Sequence, residues 1–328
     1  MENTQEMPVP AVKPPLPGAW NMFKQSVGFL KDNFRAVFGI FISPLIFMVV
    51  GTMLIRSLPV DDRGNAILSG ATSGQLTAFI IGVIISIIGG VLAYIAAIGF
   101  IYFLLDKEKG VYSSVKEYYK KAAHIFWAFV WISILLSLSI FGGFALFIVP
   151  GIILSFYLLF STYVLVDENK KGLTALTQSW NYVRGYAWSI FFKLLLFGLL
   201  LFPIYIVFIA VFAGLAYVSF GQELSIITIS SIDIVVRFIQ QIIIGPLGAI
   251  YLFLIYRNLK SVKSETVPDF VEKKRKNKLI AVSILGLLII PLIVLSVVFT
   301  SLMAARQKAK DVSSPEQYIE IEEVYDYN

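Results

Sequence analysis

The chain of 328 residues contains no cysteine and one histidine, His124. That excludes disulfides, thiolate metal sites, cysteine nucleophiles and any mechanism that needs two histidines. Charge is sparse as well: 15% of residues are Asp, Glu, Lys or Arg, where soluble domains carry about a quarter. The chain has no phosphate-cradling loop ending in Gly-Lys-Ser/Thr, no His-Glu-x-x-His and no Gly-x-Ser-x-Gly. Asp233 is the one Asp or Glu that falls inside an apolar span, so ion-coupled transport through several buried carboxylates has little to work with. Catalysis has less, and the chain reads as non-enzymatic, without cofactor or metal.

What remains is apolar. Hydrophobic residues make up 58% of the chain and the mean hydropathy is +0.80. Apolar runs of 18 or more residues recur, each long enough to cross a hydrocarbon core of about 30 Å. They lack the strict alternation of barrel strands, and backbone inside lipid must bond internally, so the expectation is an all-α, polytopic transmembrane bundle. Six core spans are expected at residues 34–55, 76–105, 125–147, 152–166, 188–218 and 232–256, with a seventh at 279–303. Pro44 and Pro203 are expected as kinks, and Val149-Pro150-Gly151 as the turn between the third and fourth spans.

The segments between the spans divide the chain. Residues 1–18, with Pro8, Pro10, Pro14, Pro15 and Pro17, read as a disordered leader and not as a signal peptide. Residues 19–260 form the six-span domain, 261–278 a polybasic linker, 279–303 an extra span and 304–328 an acidic tail. Counting Lys and Arg on alternate sides gives 21 on one and 6 on the other. By the positive-inside rule the N-terminus lies in the cytoplasm and the acidic tail outside a cell membrane. The net charge of +6 is then a matter of topology and implies no nucleic-acid partner.

Three segments share a layout: AWNMFKQSVGFLKDNFRAVFG, SSVKEYYKKAAHIFWAFVWIS and TQSWNYVRGYAWSIFFKLLL. Each is a basic, aromatic-bearing amphipathic stretch followed by an outgoing and a returning span, which suggests three hairpins with surface helices on the cytoplasmic side. The first stretch places Trp20, Phe23, Val27, Leu30 and Phe34 at helical spacing. A preference of Trp, Tyr, Lys and Arg for the interface would produce the same layout without true repetition.

The polar residues worth singling out are few. Asp233 and Arg237 lie four apart near the outer end of the sixth span, with Gln240 and Gln241 one turn deeper. They form either a binding site for a headgroup or a satisfied pair near the surface. The basic residues Lys273, Lys274, Arg275, Lys276 and Lys278 adjoin the seventh span and suit anionic lipid headgroups, or a stop signal that fixes that helix. His124 reads as an interfacial anchor, and Asp167, Glu168, Asn169, Lys170 and Lys171 as a solvated turn.

Several motifs carry a resemblance to a known family. Pro150-Gly151 precedes an apolar span, Val166-Asp167-Glu168 closes it, and Ala175-Leu-Thr-Gln-Ser-Trp180 leads through Val183-Arg184-Gly185 to Trp188. Gly18-Ala-Trp20, Phe23-Lys24 and Leu254-Ile-Tyr256-Arg257 accompany them. Over residues 18–260 the chain resembles bacterial membrane proteins of the glycerophosphoryl diester phosphodiesterase membrane-domain and YciC-like families. The resemblance implies a helical membrane domain. It implies no phosphodiesterase, since the catalytic domain that some relatives carry has no counterpart here. The function expected is membrane organisation, lipid contact or partner scaffolding, with membrane lipids, a membrane protein or a second copy as partners. The alternative is a transporter or permease component, favoured by the Gly- and Pro-interrupted spans.

Overall fold

A computed structural model describes residues 16–59, 70–220, 235–263 and 269–312, and every regular element among them is helical. In order these are α1 (Ala19–Asp32), α2 (Phe34–Ile55), α3 (Ser73–Glu108), α4 (Val115–Leu146), α5 (Ile148–Tyr157), α6 (Ser161–Glu168), α7 (Leu173–Val183) and α8 (Ala187–Phe220). A π-helical turn (Gln240–Ile244) then leads into α9 (Gly245–Val262), and α10 spans Asp269–Val312. Seven stretches among the described residues are long and apolar enough to cross a membrane, α5 and α6 together supplying one and Val235–Val262 another. The chain is a multi-pass, all-α membrane protein.

Several helices outrun the spans expected for them. Helix α3 has 36 residues, about 54 Å of rise for a core of roughly 30 Å. Helix α4 continues without a break from the amphipathic stretch into the span, so the second of the three expected surface helices is not a separate element. The reason is local: Asn33 ends α1 by donating its carboxamide to Phe29 O (2.8 Å), and Gly185 ends the connection after α7 at φ +88°, whereas residues 115–132 contain no Gly, Pro or Asn to interrupt the helix. The polybasic residues 273–278 are likewise helical, forming the first turns of α10 and not a linker. Pro150 sits in the first turn of α5, a position that needs no amide proton, and the break falls one residue before that helix. The leader up to residue 15 and the tail beyond residue 312 lie outside the described residues.

The chain forms two compact units. In the first, residues 1–133 and 156–272, helices meet where side chains are small, because hydrocarbon gives apolar surfaces no reason to associate and close packing must supply the attraction. A Cβ on Gly51 of α2 would lie 2.3 Å from Ser86 Oγ of α3, and one on Gly82 would lie 2.8 Å from Gly51 O and Ile55 N. Gly89 makes the third close approach, to Met48. Gly82, Ser86 and Gly89 thus form a small-residue stripe along one face of α3. Below it, Phe41, Phe100, Phe103, Tyr118 and Phe29 pack ring to ring at 5.3–6.0 Å. Helix α1 buries Met22, Ser26 and Leu30 and sets Phe23 against Phe197 of α8 (6.1 Å). It docks on the bundle by one edge of its apolar face, leaving Trp20 and Val27 exposed.

Pro44 kinks nothing loose. Lacking an amide proton, it leaves Ile40 O without the usual i+4 partner, and the Tyr119 hydroxyl of α4 donates to that carbonyl at 2.6 Å. Ser43 Oγ lies 2.9 Å from the same phenol oxygen.

The second unit, residues 134–155 and 273–328, repeats the small-residue device. Ser139 Oγ lies 2.8 Å from Ser283 Oγ, and a Cβ on Gly286 would fall 2.1 Å from Leu138 O. Gly142 faces Val282 O in the same way. Beyond this crossing, Leu292, Leu295, Phe299 and Leu302 of α10 are exposed, as lipid-facing side chains are.

Replacing Gly82 by Leu drives a side chain into immovable backbone and should cost about 1–3 kcal/mol. Gly90→Leu, at a position where a Cβ meets nothing within 4 Å, serves as the comparison. Thermal unfolding of the two variants in detergent should show a lowered midpoint for the first alone.

Candidate functional site

The sixth membrane-crossing segment, Val235–Val262, owes its irregularity to the pair Gly245-Pro246. Pro246 has no amide to donate, and the Gly245 N–H bonds Gln240 O, five residues back, closing a π turn instead of an α turn. A Cβ on Gly245 would lie 3.0 Å from that carbonyl oxygen, so the turn fits glycine closely. The turn contains both Gln240 and Gln241, two of the polar residues the sequence singles out.

These residues line a cleft. Arg237, Gln240, Gln241, Gly245 and Pro246 form one wall and Phe41, Leu45 and Met48 of α2 the other, around a volume of about 360 Å³. Arg237 and Gln241 are partly buried, while Gln240 is exposed. Asp233, the fourth residue of the set, lies outside the described residues. A second cleft, of about 290 Å³, lies between α8 and the same turn, lined by Gly198, Leu201, Phe202, Tyr205, Gln240 and Ile244. Gln240 therefore belongs to both. Chemically the first cleft offers a planar guanidinium with five donors and two carboxamides, each donor and acceptor, against an apolar wall.

The basic set at the start of α10 does not stay together. Lys273, Lys274 and Lys278 are exposed and Lys276 is partly so, but Arg275 is buried at 9% exposure. Six consecutive positions wind around the helix more than once, so one of them must face inward. His124 is exposed on α4.

The charged run that closes α6 is the residue set that sequence reasoning misjudged. Asp167 and Glu168 are not solvated: their side chains are 7% and 12% exposed. The Tyr256 hydroxyl lies 2.9 Å from Asp167 Oδ2 and 3.0 Å from Glu168 Oε1, and Tyr182 donates to Glu168 Oε1 at 2.6 Å. Lys260 closes on Asp167 at 2.6 Å and Lys170 on Glu168 at 3.0 Å. Burial, and then the bond to Glu168, push the Tyr182 hydroxyl well above the usual phenol range, so it remains a donor. Ser179 accepts from Phe160 N–H (3.0 Å) and donates to Tyr157 O (2.9 Å), holding the break between α5 and α6. Trp180 packs on Tyr157 at 4.7 Å.

A second acid behaves similarly. Asp106 receives Lys121 Nζ at 2.8 Å and Ser113 Oγ at 3.3 Å, and Glu108 bonds Arg257. Asp167, Glu168, Tyr182, Tyr256 and Lys260 thus form one cross-linked end of the first unit. The available signal was Tyr102-x-x-x-Asp106 and Tyr163-x-x-x-Asp167, the same acid one turn after a tyrosine at the close of two returning spans. Among the described residues no group of three or more His, Asp or Glu gathers in a way that could hold a metal ion.

Comparison with protein-family models, with curated proteins and with solved structures finds no match.

Lys260→Met leaves Asp167 buried with Tyr256 as its main partner. Removing one member of a buried pair costs about 3–5 kcal/mol, and the remaining hydroxyl places the expected loss at the lower end. Thermal unfolding in detergent would measure it, with Lys171→Met, on an exposed neighbour, expected to change little.

Proposed function

We propose that the protein is a non-enzymatic membrane protein that contacts lipid, receiving a polar headgroup in the cleft of Arg237, Gln240 and Gln241. The observation that carries this reading is the position of that cleft. Tyr256 and Lys260 mark the basic interface through their bonds to Asp167, and counting back along the helix puts Gln240 about 24 Å and Arg237 about 28 Å from Tyr256. In a core of roughly 30 Å both lie at the far boundary of the hydrocarbon. The two carboxamides, with the guanidinium beside them, offer donors and acceptors to a headgroup at that level. Lysines 273, 274 and 278 suit anionic lipid headgroups.

A transporter or permease component is the second reading, and one observation favours it: Gln240 lines clefts on both sides of its helix, as a residue on a path through a bundle would. Flux of lipid or small solute in proteoliposomes would distinguish the two.

The family resemblance and the excess of Lys and Arg on one side support a bacterial cytoplasmic membrane with the N-terminus inside and the acidic tail outside. A tag at the C-terminus should accordingly be reached by an impermeant label on intact cells, and protection of the tag would reverse the assignment. Arg237→Ala, at unchanged protein abundance, should alter the membrane lipid profile or the lipid that co-purifies. Unchanged lipid in both measurements would remove the headgroup role.

A further inference from the structure

Resting on that reading of the first cleft, we infer that its ligand is a phosphate-bearing lipid of the leaflet opposite the basic face, with one acyl chain seated in the second cleft. Gln240 links the halves because it lines both. Gln240 is exposed and, among the described residues, its carboxamide has no hydrogen-bond partner, which leaves it open to a ligand at the boundary of the hydrocarbon. Its neighbour Phe202 is 61% exposed, so the second cleft opens sideways, toward lipid.

Depth along α8 agrees. Taking the exposed Trp188 as the interfacial start of that helix, Gly198 lies about 15 Å and Tyr205 about 25 Å into the membrane. The second cleft therefore runs from the level of Gln240 inward toward mid-membrane, the course an acyl chain takes below its headgroup. Its lining of Gly198, Leu201, Phe202 and Ile244 is apolar, and only Gln240 and the Tyr205 hydroxyl are polar. The first cleft supplies the complementary half. A guanidinium engaged with one partner still has donors for a second, and its planar fork matches the oxygens of a phosphate. Carboxamides from Gln240 and Gln241 can donate to the remaining oxygens or accept from a glycerol hydroxyl. Either cleft alone is small for a lipid, and the two together fall within the usual range of ligand sites.

Gly198 gives a clean test, because a Cβ there meets nothing within 4 Å. A larger side chain can occupy the cleft without disturbing the helix packing. The full-length protein in uncharged detergent would be titrated, by native mass spectrometry and thermal shift, with lysophosphatidylglycerol, the monoacylglycerol of the same chain, and glycerol phosphate. The lysophospholipid should bind at least about tenfold more tightly than either of the others. Gly198→Phe should weaken the lysophospholipid about tenfold and leave glycerol phosphate unchanged. Arg237→Gln should bring the lysophospholipid down to the level of the monoacylglycerol, with Arg237→Lys in between. Wild-type lysophospholipid binding by Gly198→Phe, or glycerol phosphate binding as tightly as the lipid, would overturn the chain assignment and leave the headgroup reading intact. Loss of phosphate preference nowhere, with Arg237→Gln behaving as wild type, would overturn both.

Discussion

A carbonyl that loses its helical partner inside hydrocarbon cannot turn to water, and this constraint accounts for much of the architecture. One tyrosine hydroxyl meets it here, and two others bond helix carbonyls across the bundle. Tyr119 supplies the donor that Pro44 withholds from Ile40 O. Tyr163 donates to Ala249 O and Tyr251 to Lys193 O, each reaching from one helix to the backbone of another. Such bonds fix the register of neighbouring helices where apolar contact alone would let them slide, and the one from Tyr119 also satisfies a carbonyl that has no helical donor. The small-residue crossings at Gly51 and Gly82, and at Gly142 and Gly286, bring the backbones close enough for that control to be sharp. Removing the proline and removing the phenol are therefore not independent changes, and their effects should not add.

How much of this could be read from the chain depends on the kind of signal. Membrane-crossing stretches depend on length and apolarity, local properties that a window of 20 residues contains, and α2 begins and ends at the expected residues. Element breaks depend on residues that stop helices, so the break at Asn33 was legible while the continuity of α4 through Lys120, Lys121 and His124 was not expected from its polar face. The acids at 167 and 168 left only the Tyr-x-x-x-Asp spacing shared with Asp106 as a local trace. Their burial is decided by Tyr256 and Lys260, about ninety residues away, and nothing in a charged run next to two lysines announces a tyrosine that will cover it.

For the cleft, the residues and the architecture carry different parts of the information. Arg237, Gln240 and Gln241 stand out in the sequence because polar side chains are rare at that depth. The opposing wall of Phe41, Leu45 and Met48 is ordinary membrane-helix sequence and gains meaning only from the fold. The same holds for Gly198, one of many glycines in an apolar run, whose open flank makes room beside Gln240.

The π turn has a consequence for how this segment can vary. A turn closed five residues back carries one residue more than an α turn, equivalent to a single-residue insertion absorbed without unfolding the helix. Residues 235–239 on its N-terminal side are rotated by about 100° relative to a regular helix anchored at Tyr256. Deleting one residue between Arg237 and Pro246 would restore regular winding and swing the guanidinium by that angle, away from α2, with α9 undisturbed. The segment thus behaves as a dial with two settings, and the glycine before the proline holds it at the one that faces the cleft.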